Sequence, residues 1–423
     1  MGRSLSRIVV LGVVGALVAA CAPAAAPSTA PSASASAAAT QAASPSATTA
    51  ANTKPIRIGA LTSLSGPFAP WGTKVKAGMD FAASELNAAG GVKGRKVEIV
   101  ARDDKNNPSE AVTDFKDLVE TQGVVAVGGV ISSDVGLAAA RTAEQSKVPL
   151  FLTMSGANEI LTKASRYTFR TCLLAASMDM GPIAAFVKDK KITSVGSIIA
   201  DYAWGHSIEA AEKKDVASLP GVQVQYAVAP VTEKDFTSYL RKLQPANPQL
   251  LLITGHPPGN FPITKEALQL GIGQYMFGAW SPPETWMQQV GAPAYGHVIE
   301  GSCADWSSPA YQALAKKFYD STKSFMDFNV LSGYAIVKMV ANAVSNGADT
   351  ATKVADAVRT GSFTQPGYAY PLSYTEYGEL KEATPVIYTF AKGDPAGGID
   401  PGAGWHTEVL LHSPVIPPDV PAQ

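Results

Sequence analysis

Three segments that contain small or polar residues lie where predicted strands end. They are residues 64–72, the pair Ser132 and Ser133, and a turn that holds Ser155 and Ala157. In open α/β sheets, ligands bind beyond the carboxyl ends of the strands and at the N-termini of the helices that follow. Free N–H groups and the positive end of a helix dipole at Ser132 and Ser133 would hold a carboxylate, with the two hydroxyls as further donors. The alternative is that this serine pair only caps a helix.

Other strand ends carry further hydrogen-bonding side chains. Asp201 and Tyr202 lie on a loop before Trp204 and could form hydrogen bonds across a cleft. His256 begins a His-Pro-Pro-Gly turn, where it either donates to a ligand or caps an exposed loop, and the cap is the favoured interpretation. Together with the serines, these residues form a candidate binding site for a small molecule.

The chain lacks the short motifs that indicate common catalytic or cofactor sites. No H-E-x-x-H, C-x-x-C, G-x-S-x-G, Walker or G-x-G-x-x-G sequence occurs. The five histidines show no metal-ligand spacing. The formal net charge is −1, and no Lys/Arg run is interleaved with aromatic residues, so nucleic acid is not an expected partner. We predict a protein that is not an enzyme and that uses neither a metal nor a cofactor.

Strands and helices alternate along the chain. Residues 56–61 form an apolar strand, a helical period starts at Lys74, and residues 97–100 form a second strand, which together predict a parallel βαβ unit. The alternation continues to residue 172 and repeats over residues 177–303, so the sequence predicts two α/β layers. The remaining chain is predicted to form helices over 308–326, 329–345 and 350–359 and closing strands at 384–390 and 408–411.

The first βαβ unit carries a specific resemblance. Its sequences LSGPFAPWG and ASELNAAGGVKGRKVEIVARDDKNNPSEAV resemble the opening of the leucine/isoleucine/valine-type solute-binding proteins of ABC importers, which have the type I periplasmic binding fold. The resemblance implies two doubly wound parallel-sheet lobes joined by a three-segment hinge that closes on a ligand. The expected division is residues 54–171 plus 304–365 for lobe 1, residues 172–303 plus 366–413 for lobe 2, and a tail over 414–423.

The resemblance also implies roles for single residues. Ser132 is at the position of a carboxylate contact in the amino-acid binders, and Ser155 and Ala157 lie in the segment that supplies other contacts. Trp71 replaces a tyrosine that packs on the ligand. Trp280 falls near the position where amino-acid binders carry an acid for the ligand ammonium.

The tryptophans therefore bear on the class of ligand. Trp204, in the sequence DYAWG, is similar to the DYA.G segment of family members that take aromatic acids. Burying an ammonium without an anion costs several kcal/mol, so a tryptophan in place of the acid favours an aromatic or apolar acid over an amino acid. A structural role in the core is an alternative for any one of Trp71, Trp204 and Trp280.

The N-terminal region indicates export and anchoring. Residues 1–20 combine two arginines, a short apolar run and a Val-Ala-Ala ending before Cys21, which is typical of a lipoprotein signal peptide with lipidation at Cys21. Residues 21–53 are almost entirely Ala, Ser, Thr and Pro, which predicts a disordered tether. The expected location is extracytoplasmic, with the protein held to the membrane by its lipid.

Cys172 and Cys303 are the other two cysteines. An extracytoplasmic compartment permits a disulfide, and both residues fall where the chain is expected to cross between lobes. Spacing alone does not fix the pairing. Two buried free thiols are the favoured interpretation.

The sequence leads to one hypothesis with two alternatives. A monomeric substrate-binding component traps a small carboxylate-bearing solute between its lobes and delivers it to the permease of an ABC importer. A ligand-binding sensor with the same fold would instead signal to a membrane receptor. A hydrolase would need a nucleophile that the motifs do not reveal.

Overall fold

The structure is a computed structural model that describes residues 54–421. The predicted signal peptide, Cys21 and the whole of the predicted tether lie outside the described residues. Within the described range, no helix combines the length and apolar character needed to cross a membrane.

The first sheet has five parallel strands in the order β2-β1-β3-β4-β5. Its strands are β1 (Ile56–Thr62), β2 (Val97–Asp103), β3 (Ala126–Val130), β4 (Leu150–Leu152) and β5 (Thr168–Arg170). The helices between them are α1 (Ala69–Ala88), α2 (Pro108–Lys116) and α3 (Ser133–Ser146). Every residue of β3 and β4 is buried, as expected for parallel strands covered on both faces.

The second sheet has seven strands in the order β14-β13-β10-β9-β8-β6-β7. Its parallel part comprises β6 (Ser194–Ala200), β7 (Gln223–Ala229), β8 (Leu250–Leu252), β9 (Tyr275–Phe277) and β10 (Val298–Ser302). The helices of this region are α4 (Ala176–Asp189), α5 (Ala203–Asp215), α6 (Thr237–Leu243), α7 (Asn260–Leu270) and α8 (Pro283–Gln289).

The C-terminal part of the chain, from residue 309, supplies three helices, a short strand pair and two further strands of the second sheet. It contains the helices α9 (Pro309–Thr322), α10 (Phe328–Ser345) and α11 (Ala351–Thr360), the short antiparallel pair β11 (Ser362–Phe363) and β12 (Leu372–Ser373), and the strands β13 (Val386–Lys392) and β14 (Trp405–His412). The pair β13 and β14 is antiparallel and extends the second sheet beside β10. The predicted α/β fold with two parallel-sheet lobes is confirmed.

Helices α1 and α10 pack closely because two glycines lie at their crossing. A Cβ atom on Gly78 would overlap with the Val330 carbonyl, and one on Gly333 would overlap with the Val75 carbonyl. Helix α10 therefore lies against lobe 1, and Asp327 caps its start by accepting from the N–H groups of the first turn.

Helix α9 contacts both lobes. The Phe318 ring lies 5.3 Å from Phe81 of α1, whereas Tyr311 packs on Trp306, which in turn contacts Tyr388 of β13. The expected division of the chain at residue 304 stays a prediction.

Cys172 and Cys303 form a disulfide, so the expectation of two free thiols is wrong. The two Cα atoms are 5.3 Å apart. Cys172 follows β5 of the first sheet and Cys303 follows β10 of the second. The chain segments that leave the two sheets run close enough to be cross-linked, which spacing in the sequence could not show.

Candidate ligand-binding site

A cavity of about 10 Å³ lies where the strands of both sheets end. This is room for about one water molecule, so the lobes are closed here and would have to separate to admit a ligand. The wall is formed by side chains that follow strands of either lobe, namely Phe68, Trp71, Ile131, Met154, Leu173, Tyr202, Trp204, Pro257 and Ala279. Apart from the Tyr202 phenol and the indole N–H groups, these side chains offer no hydrogen-bonding atoms, so the cavity is suited to an apolar molecular body.

Trp71 enters the cavity from the first turn of α1. Pro70 stands at the helix start, where its fixed φ is favourable, and Gly72 lets the helix begin against the Ser63 carbonyl. The Trp71 indole is 1% exposed, and its Nε1 donates to the Trp280 carbonyl at 2.9 Å. Because this N–H is already bonded, Trp71 presents carbon atoms to the cavity.

Trp204 closes the cavity from lobe 2. Its Nε1 donates to the Thr254 carbonyl at 2.8 Å. Its ring lies so close to Gly156 of lobe 1 that a Cβ atom there would overlap with the indole. The predicted placement of Trp71 and Trp204 at one cavity agrees with the structure, while contact with a ligand stays a prediction.

Trp280 lies behind the wall and does not line the cavity. It is fully buried, its backbone is left-handed with φ of 50°, and its Nε1 donates to Asp179 Oδ1 at 3.0 Å. Its carbonyl is the acceptor for Trp71. The left-handed backbone accompanies this inward placement, and sequence reasoning could not anticipate such a conformation in a tryptophan.

The four residues predicted to hold a carboxylate lie beside the cavity. Ser133 Oγ accepts from the N–H groups of Gly156 and Ala157, both at 3.2 Å. Ser155 Oγ donates to the backbone carbonyls at positions 131 and 132. Ser132 is the N-cap of α3, and its buried hydroxyl has no hydrogen-bond partner. Of the three serine hydroxyls, that of Ser132 has no partner, and that of Ser133 accepts two bonds, so its O–H hydrogen can still be donated to a ligand.

Arg170 positions the segment that holds Ser155 and Ala157, and sequence reasoning missed it. Its guanidinium donates to the carbonyls of both residues, at 2.7 Å for Ala157, and its Nε donates to Glu379 Oε2 at 2.9 Å. Arg170 is fully buried at the end of β5. The one available signal was a charged arginine inside the predicted strand YTFRTC, whose other residues are uncharged.

The other three polar residues predicted for the site differ in where they lie relative to the cavity. The Tyr202 ring lines the cavity, and burial raises the pKa of Tyr202 well above its usual value. Asp201 is exposed and bonds to His206 instead. His256 Nδ1 accepts from the Gly259 N–H, and its Nε2 donates to the Pro230 carbonyl, so both ring nitrogens are occupied. His256 therefore caps its turn, although that turn is buried and not exposed as predicted.

Direct contacts hold the lobes together around the cavity. Asp134 of α3 accepts from the Ala203 N–H at 3.1 Å, which places a carboxylate at the N-terminus of α5. On the other side, Lys74 of α1 pairs with Glu284 of α8. These contacts join the two lobes on both sides of the cavity and leave little room in it for water. Within residues 54–421, no group of three or more His, Cys, Asp or Glu side chains could hold a metal ion.

Two α/β lobes that meet over a cavity at their strand ends define a two-lobed solute-binding protein. A family model described as "Periplasmic binding protein" matches residues 55–384. The chain belongs to the periplasmic binding protein family, and the resemblance seen in the first βαβ unit is confirmed.

Similar proteins are consistent with this family assignment. The leucine-, isoleucine-, valine-, threonine- and alanine-binding protein of Pseudomonas aeruginosa is 27% identical over 80% of this chain and 90% of its own length. Among solved structures, the substrate-binding protein LivJ of Streptococcus pneumoniae in complex with isoleucine has a TM-score of 0.72 at 22% identity, covering 86% of this chain and 100% of its own.

A solute-binding protein of an ABC transporter from R. palustris in complex with benzoate has the same TM-score of 0.72 at 18% identity. It covers 87% of this chain and 98% of its own. The two structural likenesses show that the fold is that of type I periplasmic binding proteins.

Proposed function

We propose that this protein is the extracytoplasmic substrate-binding component of an ABC importer and that it captures a small aromatic or apolar carboxylic acid. The ligand lies between the lobes, and the closed protein delivers it to the permease without chemical change. Lipidation at Cys21 holds the protein at the membrane. The cavity enclosed by both lobes at the strand ends is the observation that carries this proposal.

The chemistry of the cavity wall supports an acid without an ammonium group. No acidic side chain lines the cavity, and the indole N–H groups of Trp71 and Trp204 are bonded to backbone carbonyls. An ammonium group enclosed there would lack an anion, which costs several kcal/mol. An aromatic ring or a branched alkyl group meets only the apolar faces that this wall offers.

The carboxylate would lie at the start of α3. The hydroxyl of Ser132 is buried and unpartnered, and the first turn of a helix offers free N–H groups with a positive partial charge. Ile131, the residue before Ser132, lines the cavity. A flat acid could therefore place its ring among the aromatic side chains and its carboxylate at this helix end.

The similar proteins include examples of both ligand classes. The P. aeruginosa protein is named for amino acids, and the R. palustris structure contains benzoate. The lining residues of this chain favour the second class, because the wall offers no counter-charge for an α-amino group.

A thermal-shift and calorimetric comparison of benzoate, benzylamine and isoleucine tests the proposal. Benzoate and benzylamine share a ring and differ in charge, whereas isoleucine carries both charges on an aliphatic body. We expect only benzoate to raise the melting temperature, by the amount expected for ~2.7 kcal/mol when its concentration is 100-fold above Kd. Stabilisation by isoleucine and not by benzoate would refute the proposed ligand class.

A further inference from the structure

The short segment 279–281 connects the cavity wall to the interior of lobe 2. Ala279 lines the cavity, and the carbonyl of Trp280 accepts from the Trp71 indole at 2.9 Å. Trp280 thus links lobe 2 to Trp71, an aromatic residue of the cavity wall in lobe 1. The position of its carbonyl depends on the conformation of its own backbone.

That backbone conformation is unusual and needs support from its neighbours. The φ of Trp280 is 50°, in the left-handed region that bulky residues rarely adopt. Such a conformation persists only where the surrounding structure fixes it. The indole packs on Gly301, where a Cβ atom would lie 2.6 Å from ring atoms, and its Nε1 donates to Asp179 at 3.0 Å.

Asp179 has no other hydrogen-bonding role among the described residues. It lies in the first turn of α4, is 3% exposed, and its second carboxyl oxygen is buried without a partner. Glu300 and Tyr370 are titratable groups on which its charge acts, and it forms no ion pair within residues 54–421. A leucine has the same branched arrangement of heavy atoms and would bury no unpaired oxygen, so packing alone does not account for this acid.

We infer that Asp179 is a positioning residue for the ligand cavity: by holding the Trp280 indole, it places the carbonyl that anchors Trp71 and so sets the width of the space for a flat acid. The inference rests on the proposed function in that it takes the cavity as the solute site. Asp179 does not line the cavity and acts through the two tryptophans.

Calorimetric titration of benzoate and cyclohexanecarboxylate into four variants tests the inference. The two probes share a carboxylate and differ in thickness. In Asp179→Leu, we expect benzoate affinity to fall at least tenfold and the preference for benzoate over the thicker probe to fall with it. Asp179→Asn keeps an acceptor oxygen for the indole and is expected to stay within threefold of the wild type.

Two further variants complete the comparison. Glu212→Gln alters a buried acid of α5 that lies beside Ser197 of β6 and does not line the cavity, so it is expected to leave affinity unchanged. Trp280→Phe removes the N–H donor from the other side, so it should reproduce the loss if Asp179→Leu does not fold. Wild-type affinity in Asp179→Leu or Trp280→Phe would overturn the inference. An equal loss in Asp179→Asn and Asp179→Leu would also overturn it, because the bond would not be the cause.

A measurement without ligand separates this inference from the proposed function. The indole N–H resonance of Trp71 in a ¹⁵N-labelled protein should shift in Asp179→Leu and stay in place in Asp179→Asn. If wild-type protein binds no benzoate, the proposed ligand class fails, and the resonance still decides the role of Asp179. An unshifted resonance in Asp179→Leu would refute the positioning role alone.

Discussion

The segments that follow β4 and β9 support the cavity from opposite lobes, and they are held in different ways. The serine segment, residues 155–157, is held by the guanidinium of Arg170, which pairs with the carboxylate of Glu379. The tryptophan segment, residues 279–281, is held by two buried carboxyl groups that form no ion pair among the described residues. One segment therefore depends on opposite charges and the other on single hydrogen bonds.

The difference shows how burial and a neighbouring charge together affect the protonation state of a carboxyl group. Burial raises the pKa of Glu379, but Arg170 opposes this effect. With no cation beside them, the pKa of Asp179 is raised to about 7 and that of Glu300 well above its usual range. Both groups still accept hydrogen bonds from indole N–H donors. A charged anchor in the interior needs a partner of opposite charge, whereas a neutral one needs only a donor.

The largest effect is expected from breaking the buried ion pair between Arg170 and Glu379. Arg170→Met leaves Glu379 buried without a counter-charge and two carbonyls without their donor. We expect a loss of about 3–5 kcal/mol in the free energy of unfolding, measured by urea denaturation. The double variant Arg170→Met with Glu379→Leu should recover part of this loss. If single and double variants are equally unstable, the charge pairing is not what anchors the serine segment.

The raised pKa of Asp179 should make the stability of the protein depend on pH. The pKa of Asp179 is about 7 when folded, against an ordinary value of 3.8. Between these values the folded protein keeps a proton that the unfolded chain has released, so stability falls as pH rises through this window. Asp179→Asn removes this contribution. We expect it to match the wild type near pH 4 and to exceed it by up to about 4 kcal/mol above pH 7.

Parallel urea denaturation series of the wild type and Asp179→Asn, from pH 4 to pH 8, would measure this difference. Comparing the two proteins at each pH cancels the titration of all other groups. Curves that stay parallel across the range would show that Asp179 is ionised in the folded protein.

A smaller effect is expected where the two lobes touch at the serine segment. Gly156→Ala adds a Cβ that would overlap with the Trp204 indole, so the lobes could not close fully. We expect ligand affinity to fall about tenfold, which is about 1.4 kcal/mol, in calorimetric titrations. Gly181→Ala is the matched control, because nothing lies within 4 Å of a Cβ atom there. Equal affinities of the two variants would place the ligand site elsewhere.

The smallest effect is expected at the second neutral carboxyl group. Glu300→Gln keeps an oxygen that can accept from the Trp286 indole and adds no unpaired charge. We expect a change of about 1 kcal/mol or less in the free energy of unfolding at pH 7. A loss as large as that of Arg170→Met would mean that Glu300 is ionised and has a role like that of Glu379.

Local patterns predicted much of the architecture but less of the site. The apolar runs that became β1 and β3 and the helical period that became α1 follow from side-chain periodicity, which is a property of neighbouring residues. The disulfide, the role of Arg170 and the inward placement of Trp280 depend on contacts between residues more than 100 positions apart or on a rare backbone conformation. No periodicity encodes such contacts.

The sequence by itself determined the alternation of strands and helices, the family and the candidate strand-end loops, because each rests on residues close together in the chain. Only the tertiary structure decided which side chains face the cavity. It turned Trp71 and Trp204 toward the space between the lobes and Trp280 away from it, and it left Ser132 as the one serine hydroxyl of the predicted site that has no hydrogen-bond partner. The physical reason is that side chains compete for the same hydrogen-bond donors and acceptors. Which side chain obtains which partner depends on groups from both lobes.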